Sequence, residues 1–299
     1  MNKTKICLIT PPSPFLLDER VFLHLGILKV ASSLENNGYD VSFLDLSGVE
    51  NYLQVIERFV IDKKDVDIFG LTASTPQVPF AVEVCRTIKR LKEDSKVILG
   101  GPHCTLMNAA AKREEKKGLH LSDRATEDVK NLLEVFDILV CGDGEYAIFE
   151  ALKMDKGIVD ADNTKSDLFL TKQQFSELPF PARHLVDLTT YKYSIDGFNA
   201  TSLIAQLGCP FHCTFCSGRN SPFLRKIRQR SSESVLKEIE FLHKEYGFTG
   251  FMFYDDELNV NRKMVEMMNM IADYQEANDV EFRLRGFVKA ELFNEQQAA

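Results

Sequence analysis

The sequence predicts an α/β protein: a doubly wound parallel sheet in the first half, followed by the opening strands of a (β/α) barrel. Three observations predict it. Short, continuously apolar runs alternate with helix-period stripes up to about residue 150, turns rich in glycine, threonine and proline follow those runs directly, and a second strand–helix series begins near Thr201. Strands covered on both faces read as unbroken apolar runs, and helical crossovers are what parallel pairing requires.

Residues 6–9 are the first strand, and Leu25, Leu28, Ala31 and Leu34 then mark a helix face closed by Asn37-Gly38. Residues 41–44 are the second strand, followed by a helix through Leu53, Ile56 and Val60. Residues 68–71 are the third, and Ala81, Val82, Cys85 and Ile88 stripe the next helix. Residues 97–99 and 138–140 are the fourth and fifth strands. Between Cys104 and Asp137 lies an insertion whose run Lys112-Arg113-Glu114-Glu115-Lys116-Lys117 reads as a solvated helix face. From 153 to 200 the pattern weakens into a linker, with Leu178-Pro179-Phe180-Pro181-Ala182-Arg183 as an extended connector.

Ligands of such sheets bind outside the carboxyl ends of the strands. Those ends read Thr10-Pro11-Pro12, Thr72-Ala73-Ser74-Thr75, Gly100-Gly101-Pro102-His103 and Gly142-Asp143-Gly144-Glu145. Glycine lets backbone approach a ligand and hydroxyls offer hydrogen bonds, although turns that merely close the fold share this composition. A nicotinamide dinucleotide fits poorly, because no G-x-G-x-x-G follows the first strand.

The net charge of −8 gives no support to nonspecific nucleic-acid binding. The apolar run at 6–9 is too short for a signal-peptide core or a membrane span. A cytoplasmic protein with neither nucleic acid nor membrane as partner is expected. Of the seven cysteines, Cys7, Cys85, Cys104 and Cys141 scatter among apolar residues and read as small buried hydrophobes.

The other three crowd into Gly208-Cys209-Pro210-Phe211-His212-Cys213-Thr214-Phe215-Cys216, directly after a strand expected at 202–207. Such a loop can wrap three thiolates around one face of a cubane iron–sulfur cluster and leave the fourth iron open. Zinc fits less well: it prefers four ligands, and no second cysteine pair follows. Downstream, Ser231-Ser232 caps a helix striped by Val235, Ile239, Leu242 and Tyr246. A strand at 251–254 then ends in Asp255-Asp256-Glu257, and a third strand follows at 282–287. Chemistry in a barrel lies at the carboxyl ends of its strands. The acidic turn is therefore either functional or a set of ordinary solvated residues before a helix, and Arg228 and Arg230 either contact a carboxylate or a substrate or are surface basic residues.

C-x-x-x-C-x-x-C with an aromatic before the last cysteine resembles the signature of radical S-adenosylmethionine (SAM) enzymes. The resemblance implies that Cys209, Cys213 and Cys216 hold a [4Fe–4S] cluster, with SAM on the open iron. It places Phe215 near the adenine. It puts Asp255-Asp256-Glu257 where the family more often has a Gly-Gly-Glu segment touching the methionine amine, Asp256 being preferred and Glu257 next. The run 25–31 through Gly38-Tyr39-Asp40-Val41, with 100–103 and 142–145, resembles the Rossmann-like cobalamin-binding (B12) domain of the same family. That likeness implies cobalamin at the strand ends, near Thr10, Ser74, Gly101 and Gly144. D-x-H-x-x-G is missing after the first strand, so cobalamin would bind without that histidine, and His103, the nearest, is expected to be a hydrogen-bonding loop residue.

The family therefore implies an enzyme that generates a 5′-deoxyadenosyl radical for cobalamin-dependent methyl transfer, cyclisation or rearrangement of a small-molecule substrate. An electron donor such as flavodoxin or ferredoxin would serve it. The alternative is a non-catalytic cobalamin- or metal-binding protein. The expected organisation is 1–152 as the cobalamin-type domain, 153–200 as linker and 201–299 as the first part of the barrel domain. A full (β/α)₈ barrel takes about 250 residues. The roughly 100 from Thr201 onward allow about three strand–helix units, so a fragment, or a chain completed by a partner, is expected.

Overall fold

In the computed structural model, which describes residues 3–117 and 123–298, the first half is a six-stranded parallel sheet. Its strands are β1 (Lys5–Thr10), β2 (Asp40–Asp45), β3 (Ile68–Thr72), β4 (Lys96–Gly100), β5 (Ile138–Gly142) and β6 (Gly157–Ala161). They lie side by side in the order β2-β1-β3-β4-β5-β6. The crossovers carry α1 (Leu25–Asn36), α2 (Tyr52–Asp62), α3 (Val78–Leu91), α4 (Pro102–Lys117), α5 (Arg124–Val135) and α6 (Gly144–Lys153).

Strand alternation divides the core in two. Cys7, Ile9, Phe69, Leu71, Val97 and Leu99 point to one side, against Ile56, Val60, Val84, Ile88, Val129 and Leu132. Ile6, Leu8, Ile98, Ile138 and Val140 point to the other, beneath Ile27, Ala31 and Leu34 of α1 and Ala147 and Ile148 of α6. Both faces are covered, which is why these strands read as unbroken runs. All four scattered cysteines are buried and free in the first of these clusters. Burial pushes the Cys7, Cys85 and Cys104 thiols up to about 12, so they are packing residues.

The stretch 153–200 is not a free linker. β6 lies within it and pairs with β5 from Ile138↔Gly157 to Gly142↔Ala161. As the sheet edge it buries only Val159 and Ala161, so its sequence carries no continuous apolar run. Helix α7 (Lys172–Glu177) follows, capped by Thr171. The proline connector is indeed without regular structure, yet it is strapped to α1: Ala182 N donates to Leu28 O at 3.0 Å and Ser32 Oγ to Phe180 O at 2.6 Å. In the charged insertion, residues 118–122 lie outside the described residues. Arg113, Glu115 and Lys116 are solvated as expected, but Glu114 accepts from Ala125 N and Thr126 N at the start of α5, and Lys112 pairs with Asp160 at 2.7 Å.

The second half opens with the hairpin β7 (Ser194–Ile195) and β8 (Phe198–Leu203), turned through Asp196 and Gly197 at φ 51° and 86°. Positive φ at both turn positions matches the twist of a tight hairpin. β9 (Gln206–Leu207) pairs antiparallel with β10 (Arg228–Gln229), enclosing the cysteine loop and the short helix α8 (Pro222–Arg225). Then come α9 (Ser232–Tyr246), β11 (Gly250–Phe253), α10 (Met264–Asn278) and β12 (Arg283–Gly286). β8, β11 and β12 are parallel neighbours. Leu203, Phe251 and Phe253 pack on Val235, Ile239, Met267 and Ile271 of the two helices, so this is the opening of a (β/α) barrel.

One strand sits four residues earlier than expected. The run 202–207 is not continuous: β8 ends at Leu203, because the Asp255 carboxylate accepts from Ala205 N, at 3.1 Å, and from Gln206 N, drawing the chain out of the sheet. No helix among the described residues is long and apolar enough to cross a membrane.

Candidate functional site

A cavity of about 240 Å³ opens at the carboxyl ends of β3, β4 and β5, between the sheet and helices α1 and α6. Leu8, Gly70, Ile98 and Val140 form its floor, and Ile27, Val30 and Ile148 its sides. The opposite wall comes from the second half of the chain: Ile204, Leu207, Phe223 and Leu224. Missing side chains make the space. A Cβ on Gly70 would lie 2.7 Å from Leu8 Cδ2, and one on Gly144 would lie 2.9 Å from Val30 Cγ2. Within an apolar lining, Lys29, Asp143 and Glu145 are the charged members. Burial lowers the Lys29 ammonium to about 8, with Glu145 pulling the other way, and its nitrogen stands 4.3 Å from the centre of the Phe175 ring. Asp143 Oδ1 is buried without a hydrogen-bond partner.

Buried charges join the two halves beside this cavity. Arg228 pairs with Asp143, and its guanidinium lies 4.5 Å from the Phe169 ring centre. Arg183 donates to Glu238 Oε1 at 2.7 Å and to Ser202 O at 2.7 Å, while Arg230 takes Glu238 Oε2 and donates to Ile204 O at 3.0 Å. Burial works against the Glu238 carboxylate, but the two guanidiniums outweigh it and hold the group down to about 2. Arg228 and Arg230, open in the sequence between contacts to a carboxylate or a substrate and surface residues, are buried, and each contacts a carboxylate of the protein itself.

The cysteine loop starts where this wall ends. Gly208, at φ 85°, passes so close to Lys226 that a Cβ would meet its carbonyl oxygen at 2.4 Å, and Cys209 N donates to Leu224 O at 2.9 Å. From there the loop stands into solvent. Cys209 is half-buried, Cys213 and Cys216 are exposed, and all three are free thiols. Burial, and then the carboxylates of Asp256 and Glu257, raise the Cys209 thiol. As placed, no three His, Cys, Asp or Glu residues among the described ones are gathered to hold a metal ion. The three thiols are nevertheless presented by one irregular, largely exposed segment.

The acidic turn divides by role. Asp255 is buried and structural, whereas Asp256 is exposed and makes no hydrogen bond among the described residues. Glu257 is half-buried, its backbone oxygen accepting from Gln206 Nε2 at 2.7 Å while its carboxylate is uncommitted. Phe215 is 91% exposed.

Of the four strand-end residues, Gly101 and Gly144 line the cavity; Thr10 and Ser74 do not. Thr10 is fully buried, and Ser74 caps a short 3₁₀ turn with Gln77. Gly101 lines the cavity in left-handed backbone: at φ 97°, a Cβ there would strike Thr72 Oγ1 at 2.6 Å and Ala73 N at 2.7 Å. His103 belongs to α4 rather than a loop, held by Thr75 Oγ1 at 3.1 Å and Asp128 at 2.9 Å. Sequence reading passed over Gly70 and Lys29. A glycine inside an apolar strand was the available signal for the first; nothing local marks Lys29 out from a surface lysine.

A cofactor-type parallel sheet whose ligand cavity is walled by the base of a three-cysteine barrel loop is the class that fold and site define. Residues 20–121 match the B12 binding domain family, and residues 203–298 match the Radical SAM superfamily. The chain belongs to the radical SAM proteins that carry a B12 binding domain. It is 28% identical over 278 residues to an uncharacterized methyltransferase of Pyrococcus horikoshii, an alignment covering 88% of this chain and 56% of that protein. It is 25% identical over 276 residues to the anaerobic magnesium-protoporphyrin IX monomethyl ester cyclase of Synechocystis sp., covering 86% and 50%. Its fold is similar to that of TsrM from Kitasatospora setae, a radical SAM methyltransferase solved with its tryptophan substrate and a SAM analogue: the TM-score is 0.69 at 18% identity, covering 99% of this chain and 56% of that one. The chain spans about half the length of the curated relatives it matches.

Proposed function

We propose that this chain binds cobalamin in the strand-end cavity and a [4Fe–4S] cluster with SAM at Cys209, Cys213 and Cys216, as part of an enzyme acting on a small molecule by methyl transfer, cyclisation or rearrangement. One observation carries the reading. Leu207, Phe223 and Leu224, which bracket the cysteine loop, also wall the cavity between α1 and α6, so ligands of the two motifs would be neighbours. When bound, the cluster and SAM supply a 5′-deoxyadenosyl radical, and cobalamin supplies a methyl carrier.

The residues fit these groups. Gly70 and Gly144 leave room for an apolar ring system, and Asp143 Oδ1 is an acceptor awaiting a donor. Asp256 and Glu257 are the free carboxylates beside the cysteine loop, suited to the methionine ammonium, and Phe215 is free to cover the adenine. In this reading residues 1–152 with β6 are the cobalamin unit, the strapped segment up to 200 joins it on, and 201–299 form the opening of the catalytic barrel. A cytoplasmic site and an electron donor such as flavodoxin or ferredoxin belong to the same proposal.

Anaerobic reconstitution with iron and sulfide tests it. About four irons per chain are expected, together with saturable hydroxocobalamin binding and 5′-deoxyadenosine formed from SAM under reduction. Tight zinc with no iron uptake would overturn the cluster assignment. Bound cofactors without SAM cleavage, in this chain and in a longer version of it, would favour a non-catalytic binding protein.

A further inference from the structure

Two buried charges line the cavity without closing on each other. Lys29, on α1, is 5% exposed and Glu145, on α6, is 7% exposed. Among the described residues neither forms an ion pair, while the neighbouring buried cations are all committed: Arg228 to Asp143, and Arg183 and Arg230 to Glu238. The Lys29 ammonium makes no hydrogen bond to the described residues and stands 4.3 Å from the centre of the Phe175 ring. Leaving two opposite charges buried and apart is costly. A ligand group between them relieves the cost if it accepts from the ammonium and donates to the carboxylate at once.

We propose that Lys29 and Glu145 form a split pair that clasps a neutral primary carboxamide of the bound ligand. The carboxamide oxygen takes the Lys29 N–H and its NH₂ gives to Glu145. An anion would gain from Lys29 what it loses to Glu145, so the clasp selects against phosphate and carboxylate; a purely apolar group leaves both charges unsatisfied. This rests on the cobalamin reading of the cavity and deepens it, since the corrin ring carries primary carboxamides around its rim. It assigns one of them to a residue pair and makes that pair a filter against hydrolysed corrinoids.

The test is a spectral titration of the full chain with hydroxocobalamin and with the monocarboxylic acids obtained by hydrolysing single propionamides. Wild type, Lys29→Met and Glu145→Gln are compared, with circular dichroism and melting to check folding. Wild type is expected to bind the parent compound and to bind at least one acid about tenfold more weakly, the scale of a hydrogen bond to a charged group. Glu145→Gln weakens the parent about tenfold and abolishes or reverses the discrimination, because the acid then faces Lys29 alone. Lys29→Met weakens the parent similarly and keeps the bias against acids. If wild type binds hydroxocobalamin but the two variants match it within about twofold and treat acid and amide alike, the clasp is wrong while the cavity reading stands. If folded wild type binds no corrinoid, the cavity reading itself falls and the clasp with it.

Discussion

Arg228 and Asp143, 85 residues apart in sequence, meet in a buried ion pair in which neither side chain is more than 2% exposed. Asp143 is the residue just before α6 in the sheet half, and Arg228 lies on β10, after the cysteine loop and α8. With Leu170 N donating to the same Asp143 oxygen at 2.9 Å, the pair ties sheet, connector and barrel opening to one point beside the cavity.

Removing either partner strands the other charge in the interior. Arg228→Met or Asp143→Leu is expected to cost about 3–5 kcal/mol of stability. The double variant Arg228→Met with Asp143→Leu should recover a large part of that loss. Urea denaturation of the four proteins gives the coupling, and additive losses would show that the pair does not act as a unit.

The two strand-end glycines should separate by mechanism. Gly101→Ala forces a side chain into left-handed backbone, for about 1–3 kcal/mol, and against Thr72 and Ala73 as well. Its effect should appear in the melting curve. Gly144→Ala meets only the Val30 side chain, a cavity wall, in ordinary backbone, so it should lower melting less than Gly101→Ala while weakening hydroxocobalamin binding about tenfold. Equal melting losses for both would contradict the assignment.

Glu238 sets the acid limit. Its folded value of about 2 lies below the ordinary 4.5, so the stabilisation it provides is complete above pH 4.5 and is lost as pH falls through about 2. Thermal melts taken between those values should fall steeply. In Glu238→Gln the same slope should flatten, on a lower overall stability, and an unchanged slope would place the acid sensitivity elsewhere.

The acidic turn offers a contrast between adjacent residues. Asp255→Asn disturbs the acceptor that holds Ala205 and Gln206, and should destabilise by about 1–3 kcal/mol. Asp256→Asn changes an exposed group and should stay within about 0.5 kcal/mol. Only the Asp256 change should weaken SAM binding in folded protein, as read by equilibrium dialysis.

Cysteine substitutions sort the same way. Alanine at Cys209, Cys213 or Cys216 should abolish the brown chromophore of reconstituted protein and lower its iron content. Alanine at Cys7 or Cys85, both packed in the sheet core, should keep the chromophore and lower the melting temperature instead.

The sequence by itself determined whatever depends on local pattern. Unbroken runs such as 6–9 and 97–99 announced strands buried on both faces, and the spacing of Cys209, Cys213 and Cys216 marked out the loop to which the cluster is assigned by proposal. Those features are contiguous, so chain order displays them. Tertiary structure alone decided the rest. It buried Arg228 and Arg230 against Asp143 and Glu238, left Thr10 and Ser74 outside the cavity lining, and brought Lys29 into it. It also ended β8 at Leu203, through a carboxylate fifty residues further on. Burial and charge pairing arise between elements distant in sequence, and an isolated lysine or arginine carries no local mark of the neighbour that will desolvate it.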